Sequence, residues 1–188
     1  MPSLDIHIAL ARKYLKKYDD IKDEVSFIKG NLAPDLVEDR VASHYTKKIY
    51  LENLSQILKN KIGFDDYLKT AKIDNDYEKG YFLHLLSDYK FYNNFFDKNY
   101  IEHTSYQEFK KDLYYRYNLI HNYLINNYDI NYYPFENEIR KRIIASQNDA
   151  NYNGEMRLNI ISNKQLDDFI NAILQKNITR YLSELKLS

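Results

Sequence analysis

The stretch Tyr77-Glu78-Lys79-Gly80-Tyr81-Phe82-Leu83-His84-Leu85-Leu86-Ser87-Asp88-Tyr89-Lys90-Phe91-Tyr92-Asn93-Asn94-Phe95-Phe96 is apolar nearly all the way round a helical wheel. A helix at a protein surface shows one apolar stripe, and one that is apolar on every side belongs in the interior. The spacing therefore predicts the central, most buried helix of the fold. Two of its polar residues, His84 and Asp88, lie one turn apart on one face. An aspartate in such a helix is costly unless it is paired or coordinates a metal. Taken alone, H-x-x-x-D also fits a buried His–Asp hydrogen bond.

On either side of this segment the apolar residues keep helical spacing. Leu4, Ile8, Ala11 and Leu15 predict a first helix of about four turns capped by Ser3. It fades into the charged stretch Lys16 to Glu24. Phe27 to Asp35 carries Gly30 and Pro34 and reads as an irregular loop. Further helices are expected over Tyr50 to Lys61, Phe64 to Lys72 and Tyr106 to Tyr128, and from Pro134 through Ile144. Ser162 and Gln165 have the spacing of a capping box before a final helix reaching Leu187. Asn148 to Gly154 reads as a mobile polar link. No alternating strand pattern, internal repeat or domain boundary is visible, so residues 1–188 are expected to form one all-α domain.

Composition narrows the chemistry. With 188 residues, 44% hydrophobic and 29% charged, the chain can bury a core without staples. The lack of cysteine excludes disulfides, thiolate metal sites and cysteine nucleophiles. Lys+Arg and Asp+Glu both number 27, so the global field of a polyanion-binding protein is missing, though a local basic cleft is not excluded. Glycine-rich phosphate loops of the Rossmann and Walker types do not occur. No stretch approaches the ~20 apolar residues needed to span a bilayer. The opening Met1-Pro2-Ser3-Leu4-Asp5-Ile6-His7 does not read as a signal peptide, so a cytoplasmic location is expected. No HD pair, H-E-x-x-H, E-x-x-H or G-x-S-x-G is present.

A second constellation joins the first. Gly30-Asn31-Leu32-Ala33-Pro34-Asp35 is followed by Ser43-His44-Tyr45, and His7 sits on the first helix among apolar neighbours. Each residue has an ordinary reading: Asp35 as a helix cap, His44 as a surface histidine, His7 as a satisfied core histidine. Together, two carboxylates and three imidazoles make a nitrogen and oxygen set suited to zinc or a similar divalent ion.

Their order, an early His, then G-x-x-x-P-D, S-H-Y and G-Y-x-x-H-L-x-x-D, resembles the zinc-dependent phospholipase C / P1 nuclease family, particularly its small bacterial members. The likeness spans the first half of the chain. It implies an all-α multi-helix bundle that hydrolyses phosphoesters with divalent ions, chiefly zinc, with manganese or iron as alternatives. It places Asp35, His44, His84 and Asp88 around one ion, with Asp88 bridging to a second held by His7. Asp35 would also serve as general base. In the family the second ion is also held by the N-terminal residue, a Trp in secreted members, and this chain has no tryptophan. The His7 ion is accordingly expected to be the weaker of the two. The family's third ion lacks its ligands here: Asn94 stands where a His would be, and neither His103 nor His121 begins an H-x-x-x-[DE] pair. His121, on a helix that should pack against the central one, is a candidate cleft residue but not a ligand, and His103 is expected to be an exposed histidine.

The expected activity is thus phospholipase C-like hydrolysis of a small phosphoester or phospholipid by metal-activated water, without a strong nucleic-acid signal. The alternative is a non-catalytic helical protein whose structural or vestigial metal site supports partner binding. Tyr81, Tyr89 and Tyr92 could stack on a base or line a lipid pocket, but ordinary core packing is the favoured account of them.

Overall fold

The computed structural model describes residues 2–46, 63–94, 104–128, 161–185 and parts of 130–141. Every regular element among these residues is a helix: α1 (Leu4–Lys17), α2 (Glu24–Leu36), α3 (Arg40–Ser43), α4 (Phe64–Thr70), α5 (Asp76–Asn94), α6 (Tyr106–Tyr128), α7 (Asn163–Ile173) and α8 (Ile178–Leu185). The all-α expectation therefore holds. None of these helices is long and apolar enough to cross a membrane. The helix expected over Tyr50–Lys61 and the link Asn148–Gly154 lie outside the described residues; of the helix expected from Pro134, Glu136, Asn137, Ile139 and Lys141 are described and are helical.

Two helices share the interior. The residues of α5 from Phe82 to Asp88 are all buried, as its pattern predicts. The residues of α1 from Asp5 to Ala11 are equally buried. Helix α1 starts at Ser3, whose hydroxyl accepts from the Ile6 N–H, and carries Lys16 and Lys17 in its last turn, where cations offset the helix dipole. On its far side α1 meets α6, whose Ile120 and Leu124 are fully buried. Leu166, Phe169, Ile170 and Ile173 of α7 bury one face at three- and four-residue spacing, and Phe169 meets Phe91 of α5 edge-on.

The segment Phe27–Asp35 is not a loop. It belongs to α2, which begins behind Asp23 and runs through Gly30 and Pro34. Tertiary packing overrides the two breakers. Gly30 and Gly80 lie where α2 and α5 cross backbone to backbone. A Cβ at Gly30 would stand 1.8 Å from the Tyr77 carbonyl oxygen, and one at Gly80 would stand 2.0 Å from that of Phe27. Glycine is required here for space, not for an unusual φ. Pro34 falls in the last turn, so its missing N–H costs one ladder bond close to where the helix ends.

The expected final helix is two. Its capping box forms, with Ser162 and Gln165 each satisfying the other's backbone N–H. The helix then breaks after Ile173, and Asn177 opens α8 by accepting from the Arg180 N–H at 2.9 Å. The Ile178 N–H donates to Tyr14 Oη at 2.9 Å, which ties the break to α1.

The crossing makes a clear prediction. Gly30→Ala or Gly80→Ala forces a methyl against fixed backbone and should cost about 2–3 kcal/mol or more. Chemical denaturation should show the midpoint falling in both variants, whereas Gly→Ala in an open helix would raise it.

Candidate metal centre

Four elements deliver the five expected side chains to one place. His7 comes from the middle of α1, Asp35 from the last turn of α2, His44 from the C-cap of α3, and His84 and Asp88 from successive turns of α5. All five are buried, and His7, His84 and Asp88 are fully so. His7 stacks on His84 with ring centroids 3.8 Å apart. The close α2–α5 crossing lets His84 Nδ1 reach the Asn31 carbonyl at 2.7 Å. The end of α3 closes by two backbone bonds, Tyr45 N–H to Ala42 and Thr46 N–H to Val41, with Tyr45 in the left-handed region at φ 54°. That turn is usually made with glycine. It directs His44 inward, while the Tyr45 ring packs on Tyr67.

The outer partners decide which ring nitrogen carries a proton. A backbone carbonyl only accepts, so His84 Nδ1 must donate to Asn31, and His44 Nδ1 must donate to the Arg40 carbonyl at 2.8 Å. His7 Nδ1 lies 3.1 Å from Ser87 Oγ, whose own proton goes to the His84 carbonyl at 2.8 Å. His7 Nδ1 is therefore also a donor. All three neutral imidazoles present Nε2 as a lone pair, the state in which histidine binds metals.

These lone pairs converge on one another and on two carboxylates. His44 Nε2 and His84 Nε2 stand 3.1 Å apart, and Asp88 Oδ2 lies 3.2 Å and 3.4 Å from them. Zinc–nitrogen bonds of about 2.0–2.1 Å give a tetrahedron with edges of about 3.3 Å, so this triangle fits one face of a zinc coordination sphere. Asp35 Oδ1 is 3.7 Å from His44 Nε2. The other Asp88 oxygen, Oδ1, faces His7 Nε2 at 3.4 Å, and Asp35 Oδ2 lies 4.0 Å from that nitrogen. Two overlapping sets, His44–His84–Asp88 and His7–Asp35–His84, have ligand atoms close enough to hold a metal ion. Neither Asp88 oxygen nor His7 Nε2 has a hydrogen bond of acceptable geometry. Buried polar atoms of this kind call for a partner, and a cation among them supplies it. The residues thus fit a divalent ion and could hold one.

The electrostatics have the same origin. Burial pushes the Asp88 carboxyl upward, but His84, His44 and His7 around it hold it well below the ordinary carboxylate range. Burial works to lower His84, yet Asp88, Asp35 and the Asn31 carbonyl lift it above the usual imidazole value. Burial and the neighbouring His84 keep His7 below that value.

His121 is placed elsewhere than in this cluster. Its Nδ1 donates to Asp5 Oδ2 at 2.7 Å, and Tyr132 Oη donates to the other Asp5 oxygen at 2.8 Å. His103, Met1 and the side chains of Tyr92 and Asn94 lie outside the described residues. Tyr81 is half-buried and donates to the Ser43 carbonyl, and Tyr89 stacks on Phe64. Sequence reading missed the groups that orient the ligands. Ser87 was visible as a hydroxyl inside the most apolar helix, but the Asn31 and Arg40 carbonyls carry no side-chain signal. Arg40 also brings a half-exposed guanidinium to 3.9 Å from Asp35 Oδ1.

No family model matches this chain, and neither does any curated protein or solved structure.

Two outcomes are expected. Zinc at a hundred times its dissociation constant should add about 2.7 kcal/mol of stability, a rise in Tm of roughly 5–10 °C for a chain of this size. His84→Ala should abolish that rise in differential scanning calorimetry. Separately, the hydrogen bond and charge of Asp5 raise the His121 pKa. A raised imidazole pKa contributes stability that is full below the ordinary value of about 6.5 and is lost as pH rises through the folded-state value. Stability measured from pH 5 to 8 should lose this component in His121→Gln.

Proposed function

We propose that the chain is a metal-dependent phosphoester hydrolase, phospholipase C-like in type. One observation carries the reading: three imidazole lone pairs and two carboxylates from four helices converge in one buried cluster. The resemblance noted in the sequence assigns ligand roles to those same five residues. Five donors at these distances exceed what a buried ion pair needs. Mixed nitrogen and oxygen donors suit zinc first, then manganese or iron.

A divalent ion at these atoms would supply a Lewis acid for the phosphoryl oxygen and lower the pKa of a coordinated water. His44, His84 and Asp88 would fix its position, their rings held by the Arg40 and Asn31 carbonyls. Asp35, at the end of α2, would accept the proton as the water oxygen attacks phosphorus and the ester P–O bond breaks. The leaving oxygen would then take up that proton. Arg40 at the edge of the cluster supplies a positive charge to an anionic substrate. A small phosphoester or a phospholipid is the favoured substrate, since the balanced net charge offers little to a long polyanion.

The near-complete burial of all five donors favours a second reading, a closed structural ion in a protein that acts by binding a partner. Activity separates the two. With zinc or manganese, the purified protein should cleave a generic phosphodiester, and a panel of short-chain phosphatidylcholine, single-stranded oligonucleotides and nucleoside monophosphates should rank its substrates. His84→Ala should lose at least about a hundredfold in kcat/KM, a lower bound for removing a metal-held water activator. Turnover that survives both chelation and His84→Ala would sink the hydrolase reading. Bound metal without turnover would select the structural one.

A further inference from the structure

We propose that Ser87 is a positioning residue that commits His7 to metal ligation by fixing its tautomer. This rests on the metal-centre reading but not on hydrolase activity. Ser87 is fully buried in α5, between His84 and Asp88. Its hydroxyl has one proton, and the His84 carbonyl takes it at 2.8 Å. The oxygen is then left as an acceptor 3.1 Å from His7 Nδ1. That contact holds the His7 proton on Nδ1, away from the carboxylates, and leaves Nε2 as a lone pair 3.4 Å from Asp88 Oδ1.

The competing arrangement is close at hand. Were the proton on Nε2, a small side-chain shift would close the 3.4 Å to Asp88 Oδ1 into a hydrogen bond, and that single bond would occupy one imidazole and one carboxylate oxygen. Both would be lost as ligands without any movement of the backbone. His44 and His84 have carbonyls at Nδ1 and cannot make this exchange. His7 has only a hydroxyl, which donates or accepts, so its tautomer depends on where the Ser87 proton goes. Because Ser87 bonds the backbone of His84 while holding the ring stacked on His84, it also fixes the two rings against each other.

The readout is the tautomer itself, seen in long-range proton–nitrogen correlation spectra of histidine-labelled, metal-free protein. Wild type should show His7 protonated at Nδ1 alone. Ser87→Ala should shift it to Nε2–H, and Ser87→Thr, which keeps the hydroxyl, should retain Nδ1–H. If the alanine variant does not fold, Ser87→Cys fills the site with a slightly larger, weaker acceptor and should give a mixture of tautomers. A wild-type His7 protonated at Nε2, or a tautomer unmoved in both Ser87→Ala and Ser87→Cys, would overturn the proposal. Zinc titration supplies a second arm. Ser87→Ala should weaken the equivalent that needs His7 by about 10–100-fold, the usual effect of losing an outer-shell partner. It should leave the His44–His84–Asp88 equivalent in place and add nothing in a His7→Ala background. An equal loss in that background would reject the role for Ser87. A chain that binds no zinc at all would overturn the metal reading and the ligation role together, whereas a wrong tautomer in a zinc-binding chain would overturn the role of Ser87 alone.

Discussion

The approach of α2 to α5 is the constraint on which the rest depends. At Gly30 and Gly80 the two backbones come within the space a single methyl would occupy. Each helix contributes the missing side chain the other needs, so neither glycine suffices without its partner. The closeness has a chemical consequence one turn further on, where the Asn31 carbonyl meets His84 Nδ1. Side-chain reach alone cannot make that bond, because the acceptor is backbone. A fold that held these helices at the usual 8–10 Å between axes with larger residues at the crossing would leave His84 free to choose its tautomer.

The centre this creates is expensive to assemble. Two carboxylates and three imidazoles leave water together, and such burial is repaid only when charges and hydrogen bonds are nearly complete. Around the rim they are complete: each imidazole Nδ1 has an acceptor. In the middle they are not, since Asp88 and the Nε2 of His7 lack hydrogen bonds of proper geometry. Within the cluster the deficit falls on atoms that would face a cation. A core selected for stability alone would fill this volume with apolar side chains, as the neighbouring Ile6, Leu10 and Phe82 do.

Sequence reading recovered the parts of this arrangement that leave a residue-level trace. The all-round apolar character of Tyr77–Phe96 identified a buried helix, and His84 and Asp88 within it, together with Asp35, His44 and His7, are the residues that meet. What it missed follows from physics that acts at a distance in the chain. Gly30 and Pro34 read as helix breakers because local propensity cannot register that a neighbouring helix needs the space. The break after Ile173 was missed because Asn177 caps α8 through a conformation that composition alone does not reveal. His121 has the same residue type as the ligands, but only the fold shows that Asp5, two positions before His7, turns to the opposite side of α1 to meet it.

Ser43 shows how the short α3 is held firmly enough to present a ligand. Four residues cannot sustain a helix by themselves. The Ser43 hydroxyl donates to the Pro34 carbonyl at 2.8 Å, joining α3 to the end of α2, and the Tyr81 hydroxyl donates to the Ser43 carbonyl, joining it to α5. Pro34 therefore does more than precede Asp35: it lies in the last turn of α2, where a carbonyl has no donor further along the helix, and that carbonyl receives Ser43. Tyr81 belongs to the same helix as His84 and Asp88, so one element fixes two ligands directly and a third through its neighbour. The left-handed Tyr45 completes the attachment, its ring resting on Tyr67, which stacks on Tyr81. A glycine there would relax the backbone by about 1–2 kcal/mol but remove the ring that keeps the turn against α4 and α5. Retaining a tyrosine in a strained conformation beside His44 is consistent with a turn whose value lies in the position it imposes on that imidazole.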